Sequence, residues 1–190
     1  MAGSSTTCCG GWPLTDQSQA PDPLPKRSLL LTGVFVGVVV VGLAVAWLVS
    51  GYTEVAAVGA QAPNFTVELL DGGSFTLEDH LAEDGRPLVL NLWASWCLPC
   101  RGEIPEISDF AIEHAGVAVL GVAVEDVRAD SEAFAEEMSP SYPLAFGSKE
   151  FREAYPTLGL PATFIIEPDG TVSSIVNGIV DQELLEEMTS

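Results

Sequence analysis

Two cysteines separated by two residues are the side chains in this sequence most suited to chemistry. Cys97 and Cys100 lie in the run Trp-Cys-Leu-Pro-Cys, shortly after the apolar segment 88–93. A cysteine thiolate is a strong nucleophile, and a second thiol one helical turn away can close a disulfide with it. The pair therefore indicates either thiol–disulfide exchange or half of a metal site.

The elements around the two cysteines predict which sulfur attacks. The apolar segment is typical of a buried strand, and a helical pattern follows, with Ile104, Ile107 and Ile112 expected on one stripe. The first turn of a helix has free N–H groups and a positive dipole end, which favour a negative charge. We expect the pKa of Cys97 to lie below the ~8.5 of a free cysteine, with Cys100 as the resolving thiol.

A structural zinc site is the main alternative for this pair. Such a site needs four ligands. Beyond residue 53 the sequence adds only His80 and His114, and neither has a partner at ligand spacing. We therefore predict no metal and no separate cofactor, with the Cys97–Cys100 disulfide as the redox group.

The charge of the chain restricts its partners. The 190 residues carry 27 acidic and 7 basic side chains, a formal charge of −20, and residues 1–53 contribute none of the excess. Nucleic acid is disfavoured, because phosphate binding requires clustered Lys and Arg. We interpret the acidity as a solvated surface; attraction of basic protein partners is the alternative.

The N-terminal part predicts a membrane anchor. Residues 1–28 are polar and proline-rich and should form a disordered tail. Residues 29–49 carry no charge and, as a helix, would span roughly 31 Å, which matches the hydrocarbon thickness of a bilayer. Residues 50–61 would be a tether to a domain at 62–190.

The distribution of basic residues predicts the orientation of this anchor. Lys26 and Arg27 precede the apolar segment, and no basic residue follows it before Arg86. By the positive-inside rule the tail is cytoplasmic, the chain crosses the cell membrane once, and the domain is extracytoplasmic. A signal peptide cleaved near residues 55–57 is the alternative, and it also exports the domain.

Strand and helix patterns alternate within residues 62–190. Alternating apolar residues on both sides of Asp71-Gly72-Gly73 predict a β-hairpin. The order of the later elements predicts a mixed α/β sandwich. Those elements are strands at 88–93, 117–124, 162–166 and 172–176, an extended piece at 142–146, and helices at 97–114, 130–138, 149–155 and 180–188.

The motif Trp-Cys-x-Pro-Cys followed by Arg-x-Glu-x-Pro resembles the TlpA/ResA group of membrane-anchored, extracytoplasmic thioredoxin-like proteins. This group is CcmG-like and belongs to the AhpC/TSA–redoxin superfamily. The resemblance implies a thioredoxin fold with an N-terminal β-hairpin extension. It also implies a central strand–helix insertion, here between Val124 and Gly159.

The resemblance also implies further residues of the catalytic site. The Leu160–Pro161 bond would be cis beside the cysteines, leaving backbone free for a substrate peptide; a trans proline that starts a strand is the alternative. Glu103 would be a partly buried carboxyl that manages protons, as opposed to an exposed first-turn carboxylate. Trp96 would shield the sulfurs and contact substrate with Leu160 and Pro161, whereas Trp93 would lie in the core.

Two related classes of protein fit the motif less well. Copper chaperones of the Sco type resemble this fold but have three residues between their cysteines. Peroxiredoxins place Thr or Ser three residues before the reactive cysteine, where this chain has Ala94. Neither copper delivery by that route nor peroxidase activity is therefore expected.

The predicted function is that of a membrane-tethered thiol–disulfide oxidoreductase. Reduced Cys97 would attack a substrate disulfide, and Cys100 would release the reduced product. The resemblance implies an apocytochrome c as substrate, or else a copper-delivery protein, and a CcdA- or DsbD-like membrane protein as electron donor. A disulfide-forming oxidase and a non-catalytic chaperone or copper-binding module for cytochrome oxidase assembly are the alternatives.

Overall fold

The computed structural model describes residues 34–42 and 54–190. The chain divides into two units, residues 1–51 and 52–190. Residues 34–42 are helical, and nothing within the described ranges forms a helix with both the length and the apolarity needed to cross a bilayer. The predicted tail and both ends of the predicted anchor lie outside the described residues, so the anchor stays a prediction.

The second unit contains one seven-stranded mixed sheet. Its strands are β1 (Thr66–Leu69), β2 (Ser74–Thr76), β3 (Leu88–Trp93), β4 (Ala118–Ala123), β5 (Leu144–Phe146), β6 (Ala162–Ile166) and β7 (Val172–Asn177). The order across the sheet is β2-β1-β5-β4-β3-β6-β7. Strands β3, β4 and β5 are parallel, and the other pairs are antiparallel. The end of β3, from which the chain continues to the cysteines, is thus flanked by strands on both sides.

Five helical elements connect or cover these strands. They are α1 (Leu77–Asp79), which continues as a π-helical turn (His80–Asp84), and α2 (Leu98–Glu113), α3 (Arg128–Met138), α4 (Lys149–Ala154) and α5 (Gln182–Met188). The predicted closing helix begins two residues late, because Asp181 caps it by accepting a 2.9 Å hydrogen bond from the N–H of Leu184. The other predicted helix ends agree within about two residues, the usual uncertainty of helix boundaries.

The predicted hairpin and insertion form one side of the sheet. In the hairpin, β1 pairs antiparallel with β2, and Gly72 and Gly73 take positive φ angles of 105° and 86° in the turn. In the insertion, β5 pairs with β4 on one side and with β1 on the other. The insertion therefore joins the hairpin to the rest of the sheet.

Two hydrophobic cores receive alternate residues of β3. Leu88, Leu90 and Leu92 belong to one core, whereas Val89 and Trp93 belong to the other. The second core also contains the inner face of α2 and both cysteines. Packing of this helix on the sheet therefore sets the position of the cysteine pair.

The prediction that Ile112 shares the inner stripe of α2 is wrong. Ile104 and Ile107 are fully buried, but 67% of the Ile112 surface is exposed. At about 100° per residue, position 112 lies roughly 140° around the helix from position 107. Phe110 fills the inner position instead.

Candidate active site

The two cysteines form a disulfide at the start of α2. The Cys97–Cys100 bond joins residues whose Cα atoms are 5.3 Å apart, which confirms the predicted pairing. Cys97 is the N-cap of the helix, and its sulfur accepts a 3.2 Å hydrogen bond from the backbone N–H of Cys100. Cys97 keeps 4% of its surface exposed and Cys100 none, so Cys97 is the more exposed of the two cysteines.

The turn before Cys97 is held by Asp126, a residue that the sequence analysis missed. Its carboxylate accepts hydrogen bonds from the Ser95 N–H at 2.6 Å and the Ser95 hydroxyl at 2.9 Å. It also accepts from the Ser131 hydroxyl at 2.9 Å and the Val127 N–H at 2.8 Å. Burial raises the pKa of Asp126, but these hydrogen bonds outweigh it, so the pKa lies below its usual value.

The only sequence signal for Asp126 is its place just beyond an apolar segment. The carboxyl ends of parallel strands β3 and β4 lie at the same edge of the sheet. A polar residue that follows β4 can therefore reach the turn that follows β3. The separation of 31 positions between Ser95 and Asp126 hides this relationship in the sequence.

The Leu160–Pro161 peptide bond is cis, as predicted. In the antiparallel pairing of β6 with β3, Ala162 lies opposite Leu92, so Pro161 lies beside the end of β3. The carbonyl of Pro161 accepts a 2.9 Å hydrogen bond from the N–H of Gly178. The proline thus precedes a central strand at the edge of the sheet where the cysteines lie.

Glu103 is completely buried, more deeply than the sequence analysis predicted. It follows Cys100 by three residues on α2, a spacing that places the two Cβ atoms about 5–6 Å apart. Its Oε1 accepts a 2.8 Å hydrogen bond from Asn91 Nδ2, and its Oε2 accepts one of 3.1 Å from the Val180 N–H. Burial raises the pKa of Glu103 to about 7, although both hydrogen bonds lower it in part.

Asn91 is the second site residue that the sequence analysis missed. It lies in the middle of β3, fully buried, where the surrounding residues read as one apolar segment. Its Nδ2 donates to Glu103 and, at 3.1 Å, to the hydroxyl of Thr163 on β6. A single amide within a buried strand was the available signal, because a buried polar side chain needs partners.

Apolar side chains around the disulfide are exposed. Trp96 and Leu98 flank Cys97 with 60% and 79% of their surfaces exposed, and Leu158, near the proline, is 94% exposed. The Trp96 indole N–H donates a 3.1 Å hydrogen bond to the carbonyl of Glu125. Trp93, by contrast, is buried as predicted and stacks on Phe134 with ring centroids 4.9 Å apart.

The two histidines lie apart from the cysteine pair. A ring nitrogen of His80 is 2.9 Å from the carbonyl of Arg86, and one of His114, at the far end of α2, is 3.2 Å from that of Phe110. Within residues 34–42 and 54–190, no group of three or more His, Cys, Asp or Glu side chains is placed to hold a metal ion.

Comparison with known proteins identifies the family. The AhpC/TSA family matches residues 58–175, well over half of the sequence. The chain belongs to the AhpC/TSA family. The thiol-disulfide oxidoreductase ResA of Geobacillus thermodenitrificans is 32% identical to this chain over 130 residues, covering 67% of this chain and 73% of that protein. The thiol:disulfide interchange protein DsbE of Xylella fastidiosa is 30% identical over 176 residues, covering 89% and 87%.

A similar solved structure identifies the fold. A putative thiol:disulfide interchange protein DsbE from Chlorobium tepidum superposes with a TM-score of 0.64 at 27% identity, covering 70% of this chain and 95% of that one. The predicted thioredoxin-like α/β fold is thus confirmed. With this fold, its homologues and its cysteine pair, the protein is a thiol–disulfide oxidoreductase of the ResA/DsbE type.

Proposed function

We propose that this oxidoreductase is a membrane-tethered reductant of disulfides in extracytoplasmic proteins, with oxidised apocytochrome c as its first substrate. The proposed direction of electron transfer, from the cysteine pair to the substrate, rests on the buried carboxyl of Glu103 one helical turn from Cys100. A negative neighbour opposes a thiolate. Because strongly oxidising pairs depend on a stabilised reduced form, this carboxyl favours a reductant over an oxidase.

The reaction begins with both cysteines reduced. The Cys97 thiolate attacks one sulfur of the substrate disulfide, forms a mixed disulfide and releases the other substrate sulfur as a thiolate. Cys100 then attacks Cys97, which forms the intramolecular disulfide and releases the second substrate sulfur. Two electrons pass from the cysteine pair to the substrate, and two protons end on the substrate thiols.

Glu103 handles one of these protons. Cys100 must lose its proton before it can attack, and the carboxylate of Glu103 is the buried base nearest to it on α2. A group with a pKa of about 7 accepts and returns a proton readily at neutral pH. Glu103 therefore takes the Cys100 proton, which then passes to the departing thiolate.

Substrate docks on the surface around Cys97. Trp96 supplies an exposed apolar side chain next to the reactive sulfur. Leu160, the residue before the cis-proline, supplies the backbone beside which an extended peptide can pair, whereas the Pro161 carbonyl is already bound by the Gly178 N–H. The cis-proline also keeps metal ions away from the two sulfurs.

The proposed location is supported by the sequence, and the proposed type of substrate by the relatives. The uncharged segment 29–49 with Lys26 and Arg27 before it supports a single-pass anchor with the domain outside the cell membrane. Similarity to the thiol-disulfide oxidoreductase ResA and the thiol:disulfide interchange protein DsbE supports a protein disulfide as the substrate. A CcdA- or DsbD-like membrane protein returns the pair to the reduced state.

Trapping and potentiometry test this proposal together. When expressed in cells, the Cys100→Ser variant should accumulate as a mixed disulfide with its substrate, whereas the matched Cys97→Ser variant should form no mixed disulfide. Mass spectrometry of the trapped protein should find a haem-free cytochrome c. The reduction potential should lie near the ~−270 mV of thioredoxin; a value near ~−120 mV would identify an oxidase instead.

A further inference from the structure

Asn91 is a polar side chain at a position that apolar residues would suit better. It is fully buried in β3, between Leu90 and Leu92, and lies opposite Gly121 of β4 and Thr163 of β6. Burying an amide is unfavourable unless it forms hydrogen bonds. A leucine or valine would meet no such cost here, so the amide needs a reason beyond packing.

The hydrogen bonds of Asn91 supply that reason. Its Nδ2 carries two N–H donors; one reaches Glu103 Oε1 at 2.8 Å and the other Thr163 Oγ1 at 3.1 Å. The amide therefore joins the carboxyl on α2 to the strand that follows the cis-proline. Both donors are committed, so the side chain has little freedom to turn away from Glu103.

We propose that Asn91 is a positioning residue for thiol–disulfide exchange, whose amide orients the Glu103 carboxyl and stabilises its ionised form so that it can accept the Cys100 proton. The inference rests on the proposed role of Glu103. Thr163 has an indirect role: its hydroxyl accepts the second N–H of the Asn91 amide and so fixes the orientation of that amide. Neither Asn91 nor Thr163 belongs to the redox motif itself.

The surroundings of Glu103 explain why one amide has a large effect. Burial favours the neutral carboxyl, and within residues 34–42 and 54–190 two donors oppose it, Asn91 and the backbone N–H of Val180. The titratable groups that face it are Cys100 on its own helix and Tyr142, whose pKa is raised by burial and further by Glu103. Thr163 and the Val180 backbone contribute no charge. Asn91 is thus, in the part of the chain that the structure describes, the one side chain that donates a hydrogen bond to the Glu103 carboxylate and so favours its ionised form.

Infrared titration of the oxidised protein tests this inference directly. The band of the protonated carboxyl, assigned by its loss in Glu103→Gln, reports the Glu103 pKa without any redox reaction. In Asn91→Leu, an apolar side chain of similar size, the midpoint should rise by about one pH unit or more. In the matched Thr163→Val variant, which keeps the Asn91–Glu103 hydrogen bond, the rise should be smaller. If Asn91→Leu does not fold, Asn91→Ala removes the same donors without adding volume.

An unchanged midpoint in a folded Asn91 variant would overturn the inference. The rate of exchange with a small disulfide supplies a second readout: its pH profile should move to higher pH with the infrared midpoint. An equal loss of rate at every pH would instead show a merely structural role. Failure of the wild-type protein to reduce protein disulfides would refute the proposed function but leave the infrared result intact, so the two failures are distinguishable.

Discussion

The backbone N–H of Val180 donates a 3.1 Å hydrogen bond to the carboxylate of Glu103. Val180 lies between β7 and α5, so the carboxyl is enclosed between helix α2 and this loop. Enclosure raises the pKa of Glu103 from 4.5 to about 7. The folded oxidised protein therefore binds a proton more tightly at this site than the unfolded chain does.

The stability of the oxidised protein should consequently fall as pH rises. The contribution of protonated Glu103 is complete below pH ~4.5 and is lost between ~4.5 and ~7, a change of about 3 kcal/mol. Urea unfolding at pH 5 and 8 should show this difference, and Glu103→Gln should remove most of it. Glu106→Gln, at an exposed position of the same helix, is the control and should keep the wild-type dependence. Equal stability of the wild type at both pH values would contradict the prediction.

Asp126→Ala should loosen the turn that precedes Cys97. The substitution leaves the Ser95 N–H, the Ser95 hydroxyl and the Ser131 hydroxyl without their common acceptor. We expect a loss of about 2 kcal/mol in the free energy of unfolding. Stability should also fall in the wild type at acid pH, because the pKa of Asp126 is lowered: its contribution is complete above the unfolded value of 3.8 and is lost as the pH falls below that value. Asp130→Ala, at an exposed position of α3, should change stability little.

Two glycine-to-alanine substitutions should act in opposite directions. A Cβ at Gly121 would lie 2.5 Å from Leu144 Cδ2 and 3.1 Å from both Trp93 Nε1 and Tyr142 Cε2. Such overpacking should destabilise the protein by about 1–3 kcal/mol. A Cβ at Gly102 on α2 meets nothing within 4 Å, so Gly102→Ala should stabilise it by about 0.5–1 kcal/mol. Thermal unfolding of both variants measures whether each substitution lowers or raises the stability. A Gly121→Ala variant as stable as the wild type would contradict the close packing around Gly121.

Leu98→Ser should weaken the reduction of protein substrates more than that of small disulfides. Leu98 lies next to Cys97 with 79% of its surface exposed, so it is available to a docked polypeptide but does little for the fold. Burial of such a side chain in a complex contributes about 1–2 kcal/mol, which corresponds to roughly a tenfold loss in kcat/KM.

Ile112→Ser is the matched control for this substitution. Ile112 lies on the same helix with a similar exposure, but far from the disulfide. Its kcat/KM for protein substrates should stay within about twofold of the wild type. Equal losses in the two variants would show that the surface around Cys97 is not where substrates dock.

The sequence predicted those features that depend on local pattern. Apolar runs, turn residues and the spacing of Cys97 and Cys100 determined the order of the elements and the disulfide. The family resemblance predicted the cis bond before Pro161, which no local pattern requires. Ile112 was misplaced because its phase on α2 was judged from residue type and not from the angle per residue.

The remaining site residues depend on contacts between distant segments. Asp126 contacts Ser95 only because two parallel strands end at the same edge of the sheet. Asn91 was hidden by its apolar neighbours, although a lone buried amide is itself a signal. The depth of Glu103 follows from the loop that carries Val180, 77 residues further along the chain. Such relationships exist only in the folded protein.

The short loop after β7 touches two parts of the site at once. The N–H of Gly178 binds the carbonyl of Pro161, and two residues later the N–H of Val180 binds Glu103. Two residues therefore separate the hydrogen bond at the proline carbonyl from the hydrogen bond at the Glu103 carboxyl. Because the same short loop binds both groups, we expect hydrogen exchange at the Val180 amide to change when a substrate peptide binds beside Pro161.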